Sequence, residues 1–128
     1  MTVKYKVIPR KNPGDLTAPP KFYPSVNASG RTRLRQLSQR IVSISTVSSV
    51  DTMAVLEGLL TVLPEELANG NIVELGDFGS FWLRIKTEGA EEETAVNANS
   101  IKGVLPRFTP GKELKQLLNN IQFAKAGN

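Results

Sequence analysis

Met53, Leu56, Leu60, Leu63 and Leu67 recur at spacings of three, four, three and four, and Val55, Leu59 and Val62 widen that stripe. The spacing predicts an α-helix with one broad apolar face. Ser48 stands where an N-cap belongs, with Asp51 three positions on as a short-armed capping box. Pro64 is expected to kink or restart the helix, and Gly70 to end it at C′. So broad a face exceeds what one short partner helix can cover. A dimer is the natural remedy.

The first partner helix lies upstream. From Arg31, Leu34, Leu37, Ile41 and Ile44 again recur at helical spacing, with Arg33, Arg35 and Arg40 on other faces. This helix is expected to fade in the β-branched, Ser-rich run "VSISTVSSV". Residues 1–30 read differently, because Pro9, Pro13, Pro19, Pro20 and Pro24 forbid a helix there. "VKYKVI" alternates as a strand with one basic face. "KFYPSV" reads as an edge strand, since Pro24 cannot donate to a ladder. Its aromatic residues are expected to shield apolar surface near Trp82. The Pro-rich stretch 1–30 is expected as a basic extension, either ordered on a sheet edge or a flexible basic arm that orders only on binding, with 31–120 the main domain and 121–128 a tail.

After Gly70 the period drops to two. "NIVEL" reads as a strand and "GDFG" as a turn or bulge. In "SFWLRIK", Phe81, Leu83 and Ile85 point one way, while Trp82, Arg84 and Lys86 point the other. "EGAEEE" reads as a turn, and "TAVNA" and "IKGVLPRF" as extended. Phe78, Phe81 and Phe108 are expected in the core. Thr109 is placed as the cap of a final helix "PGKELKQLLNNI", with Pro110 at its first position. Helix, helix, hairpin-rich sheet and helix make a two-layered α+β domain.

Composition removes whole classes of chemistry. With no Cys and no His there is no disulfide, no thiolate or imidazole metal ligand, and no Ser-His or Cys-His nucleophile. No enzyme activity and no cofactor are expected. The carboxylates of "EGAEEE" fit no Ca²⁺ loop and read as a solvated acidic turn. No run of about 18 apolar residues is present to span a membrane, and "MTVKYKVIPRK" alternates where a secretory signal has an apolar core. Charge is segregated along the chain. Residues 1–50 hold nine basic side chains against Asp15, whereas residues 51–100 hold Arg84 and Lys86 against ten acids. Residues 101–128 return to five basic side chains against Glu113. Such segregation fits either a basic surface for a polyanion set beside an acidic region or two oppositely charged faces that keep the chain in solution.

Two motifs, "GDFGSF" (residues 76–81) and "PRFTPGKELK" (residues 106–115), follow the two helices in order. In this arrangement the chain resembles the bacterial histone-like HU and integration host factor family over residues 31–120, in a branch with an N-terminal extension. The resemblance implies an intertwined homodimer with a helical base and a sheet that projects two β-arms around double-stranded DNA. Such proteins bend DNA from the minor groove by wedging an apolar side chain between base steps. It also implies a nucleoid-associated, cytoplasmic location. One feature of the family is missing: its arm-tip Arg-Asn-Pro-x-Thr-Gly signature has no counterpart here. No Pro lies between Trp82 and Pro106, and Glu88, Glu91, Glu92 and Glu93 occupy the tip. Carboxylates oppose the counterion release that drives DNA binding, so any contact is expected from the sheet and its flanks.

The resemblance makes Arg84 and Lys86 the outward-facing candidates and places Lys112 and Lys115 near phosphates. Thr109 stands where the family tends to have a Lys. Lys102 and Arg107 of the last strand and Arg31 and Arg33 of the first helix complete the candidate DNA-binding set. Two functions follow: architectural DNA binding through phosphates with little sequence preference, or an HU-like dimeric structural and protein-interaction module that has lost DNA.

Overall fold

The computed structural model describes residues 1–127, and these form two compact units. Met1–Arg33 and the chain from Leu117 onward make one, and Leu34–Gln116 the other.

The first unit is a three-stranded sheet in the order β2-β1-β6. β1 (Thr2–Arg10) pairs antiparallel with β2 (Lys21–Val26), Val7 opposite Pro24 and Pro9 opposite Phe22. The Asn27 N–H donates to the Lys4 carbonyl at 2.8 Å, which fixes Lys4–Asn27 as a hydrogen-bonded pair. Alternation then puts Pro9 and Pro24 at non-hydrogen-bonded positions, where no ladder donor is lost. This is how a segment with so many prolines still pairs. In the connecting loop, Asp15 accepts from the Thr17 hydroxyl at 2.6 Å and from the Thr17 amide at 3.0 Å. Those two bonds hold its carboxyl below the ordinary carboxylate range.

The second unit begins three residues later than the spacing suggests. α1 covers Leu34–Ser43 and α2 covers Ser49–Ala68. Ser48 caps α2, its hydroxyl accepting from the Asp51 amide at 3.1 Å. Gly70 takes φ 86°, and the amides of Gly70 and Asn71 donate to the carbonyls of Leu67 and Glu66. That is the paired closure of a Schellman turn. Pro64 does not restart the helix, because α2 runs through it. Leu63 and Leu67 keep their place on the apolar face to either side of the proline. Leu67 is the one buried apolar side chain among the described residues, at 7 % exposure.

β3 (Val73–Glu74) joins the hairpin of β4 (Gly79–Thr87) and β5 (Ile101–Pro110) in the order β3-β4-β5. α3 (Lys112–Leu118) and β6 (Gln122–Lys125) follow.

Three sequence expectations are corrected here. "TAVNA" is not extended: residues 93–95 and 98–100 form single 3₁₀ turns, and an Asn97–Ser100 capping box closes the second. Thr109 does not cap the last helix, since β5 continues to Pro110, which lies opposite Gly79, and α3 starts after Gly111. Finally, residues expected as a tail from 121 onward include β6, which pairs parallel with β1, Val3 beside Phe123. Asn128 lies outside the described residues. β2 is the edge strand that Pro24 implies, and its ladder partner is β1.

Candidate nucleic-acid interface

The β4–β5 register sorts the hairpin into two faces. Phe81 lies opposite Phe108, Leu83 opposite Pro106 and Ile85 opposite Val104, which makes one face apolar. The other face sets Trp82 opposite Arg107, Arg84 opposite Leu105 and Lys86 opposite Gly103. Successive side chains of a strand alternate, so the pattern read in "SFWLRIK" becomes a real division of the sheet.

An interlock of the two Gly-containing motifs holds this hairpin. The Gly111 amide donates to the Phe78 carbonyl at 2.8 Å. A methyl group at Gly111 would overlap the Asp77 carbonyl oxygen and lie 2.6 Å from its carbonyl carbon. Gly79 has φ 153°, and a methyl there would come within 2.6 Å of the Phe108 ring and of the Thr109 carbonyl. Both positions therefore require glycine. The Phe81 and Phe108 rings pack in a tilted contact at 4.8 Å between centroids, and Phe78 lies 5.6 Å from Phe108. Phe78 and Phe108 remain half-exposed in the single chain, so the core expected around them is incomplete.

The basic candidates divide by place. Arg84, Lys86 and Arg107 share the outward face of one hairpin, and all three are exposed. Lys112 and Lys115 sit on α3, whose start is fixed against residues 77–79 through Gly111. Lys102 lies at the register shift beside Lys86 and Thr87, and its ammonium is 3.2 Å from the Glu88 carboxylate. With both side chains more than half exposed, this pair contributes at most about 1 kcal/mol. It nonetheless turns Lys102 toward the acidic tip. Arg31 and Arg33 precede α1 and belong to the other compact unit.

Two features of this face escape sequence reading. The Trp82 indole N–H donates to the Thr109 hydroxyl at 2.7 Å. The half-buried ring is thus fixed within its own sheet, and Thr109 orients Trp82 where it was expected to cap a helix. Gly103, opposite Lys86, leaves the lysine stem without a neighbouring side chain across the ladder. The tip beyond the hairpin is a loop closed by the Glu88 amide on the Ser100 carbonyl at 2.8 Å, and Glu91, Glu92 and Glu93 are exposed on it.

Two helices, a glycine-pinned hairpin with one basic face, and a short final helix define a mixed α+β protein of the small histone-like kind. The chain belongs to the HU-HIG family, described as an HU domain fused to wHTH, Ig, or Glycine-rich motif, whose model matches residues 1–125. It is similar to integration host factor subunit beta of Pseudomonas putida, at 31% identity over 71% of this chain and 96% of the relative. DNA-binding protein HU of Thermotoga maritima is 29% identical over 64% of this chain and 93% of its own. A crystal structure of a protein from Bacteroides vulgatus shares the fold, with a TM-score of 0.66 and 16% identity. That match takes in 99% of this chain, which spans about half the length of the Bacteroides protein.

Proposed function

We propose that this chain is a histone-like architectural DNA-binding protein that works as a homodimer and grips phosphates with little sequence preference. The observation that carries the reading is the gathering of Arg84, Lys86 and Arg107 on one face of a rigidly pinned hairpin. Relatives named as HU, as integration host factor subunit beta and as DNA-binding protein support the same reading. Guanidinium and ammonium groups on a flat sheet favour the backbone over base edges, because a point or fork charge meets phosphate at any sequence. The acidic tip stays out of the groove by charge repulsion, so it is not the gripping device that an extended basic arm would be. Lys112 and Lys115 flank the face as further phosphate contacts.

Titrating random duplex by fluorescence anisotropy at several salt concentrations tests this. Micromolar or tighter binding that collapses as salt rises is expected. No binding at low salt overturns the reading in favour of a dimeric protein-interaction module, the function the acidic tip would suit.

What α2 leaves uncovered supports the homodimer. Val55 is 69 % exposed, Leu60 58 % and Val62 52 %, all on a helix whose neighbours in the same chain reach only part of its circumference. Patches of this kind mark interaction surfaces. A particle of twice 14.0 kDa is expected in sedimentation at micromolar concentration. A folded monomer there would sink the idea.

A further inference from the structure

The sheet formed by β1, β2 and β6 is as two-faced as the hairpin, and every charged side chain on its polar face is a cation. Residues directly opposite one another in an antiparallel pair share a face. Val7 with Pro24 and Pro9 with Phe22 therefore define an apolar side. Lys6 with Ser25, Ile8 with Tyr23 and Arg10 with Lys21 define the other, and alternation adds Lys4 to it. On β6 the residue beside Lys4 is Ala124, so the third strand brings no carboxylate to this side. Asp15 is the one acid in residues 1–50, and none occurs after Glu113. The Asp15 carboxylate is already engaged by Thr17.

Four cations thus stand on one face of a small sheet, and none of them is ion-paired among the described residues. Arg10 lies 5.9 Å from the centroid of the Tyr23 ring, which holds the guanidinium over the sheet. The hairpin loop adds a hollow of about 520 Å³ whose walls include Arg10, Lys11, Lys21 and Tyr23. Lys4 and Lys6 are one strand repeat apart, about 7 Å. A concentration of like charge on a rigid sheet costs self-repulsion, and a polyanion relieves it.

We propose that this basic sheet face is a second phosphate-binding surface for double-stranded DNA, separate in the sequence and in the fold from the β4–β5 face. The proposal rests on the DNA-binding reading above and extends the number of contacts each subunit makes. Its signature is additional counterion release, because every neutralised phosphate steepens the fall of affinity with salt.

The test uses the full chain and random duplex DNA. Replacing Lys4, Lys6, Arg10 and Lys21 together by Gln is expected to reduce the slope of log affinity against log salt by about 3 to 4 per chain. Affinity near physiological salt should fall by about tenfold or more. The charge-preserving variant Lys4→Arg, Lys6→Arg, Lys21→Arg should keep the original slope. If the fourfold variant does not fold, the pair Lys4→Gln, Lys6→Gln decides, with an expected loss of about 2 in slope. An unchanged slope in the Gln variants, while the unaltered chain binds, overturns this surface and leaves the β4–β5 reading standing. Equal losses in the Arg and Gln variants also overturn it, because charge would not be the cause. No binding by the unaltered chain overturns both.

Discussion

Gly111→Ala is expected to destabilise the chain by about 3 kcal/mol, near the upper end for overpacking. The added methyl group meets backbone atoms of Asp77. No rotamer change can move a carbonyl carbon out of the way, so relief requires the residue 76–78 turn and the start of α3 to separate. That movement would break the Gly111–Phe78 hydrogen bond and loosen the Phe78–Phe108 contact. Thermal unfolding followed by circular dichroism at fixed protein concentration checks it, with the midpoint expected to drop by about 10 °C or more. Gly89→Ala is the control, since nothing lies within 4 Å of a methyl group there. Equal midpoints in the two variants would show that the glycine interlock is not what holds the hairpin to α3.

The same interlock explains where sequence reading succeeds and where it fails. Ser48 and Gly70 announce the ends of α2 because capping is local chemistry between residues a few positions apart. The alternation in "SFWLRIK" announces its faces for the same reason. The approach of Gly111 to Asp77 joins positions more than thirty residues apart, and no periodicity records it. The hydrogen bond from Trp82 to Thr109 is equally non-local, so a Thr next to a Pro-Gly pair reads as a helix cap. β6 is harder still: it is only four residues long, and its parallel partner lies at the opposite end of the chain. Such a strand has its identity from its neighbour and not from its own composition. The run "TAVNA" fails for a further reason. Asn97 and Ser100 compete for the backbone through their side chains and pull residues 98–100 into a 3₁₀ turn.

The candidate site was legible in part. Arg84 and Lys86 follow from alternation, and the register adds Arg107 to their face. Lys102, equally basic, is drawn toward Glu88 by the strand irregularity, which spacing alone does not reveal. Basic residues are thus poor guides individually, and the sheet register is what turns a count of charges into a surface.

Replacing Arg84 and Lys86 by Glu together is expected to lower affinity for random duplex by about 100-fold or more at moderate salt, through lost phosphate contacts and added like-charge repulsion. Each lost contact should also reduce the salt slope by about 1. The change should not unfold the hairpin. Both side chains are exposed on the face away from Phe81 and Phe108, and their cross-strand neighbours are Leu105 and Gly103. Neither forms an ion pair among the described residues that reversal would break. Circular dichroism should therefore match that of the unaltered chain, and a melted variant would mark a structural role instead. Reversing Glu91, Glu92 and Glu93 to Lys has the opposite sign: affinity should hold or rise, because the exposed tip then stops repelling phosphate. The two variants together locate the grip. Loss in the first with gain or no change in the second places it on the β4–β5 face. Unchanged affinity in the first, with the fold intact, would move the principal contact off this hairpin and leave the basic sheet of β1 and β2 as the surface that remains.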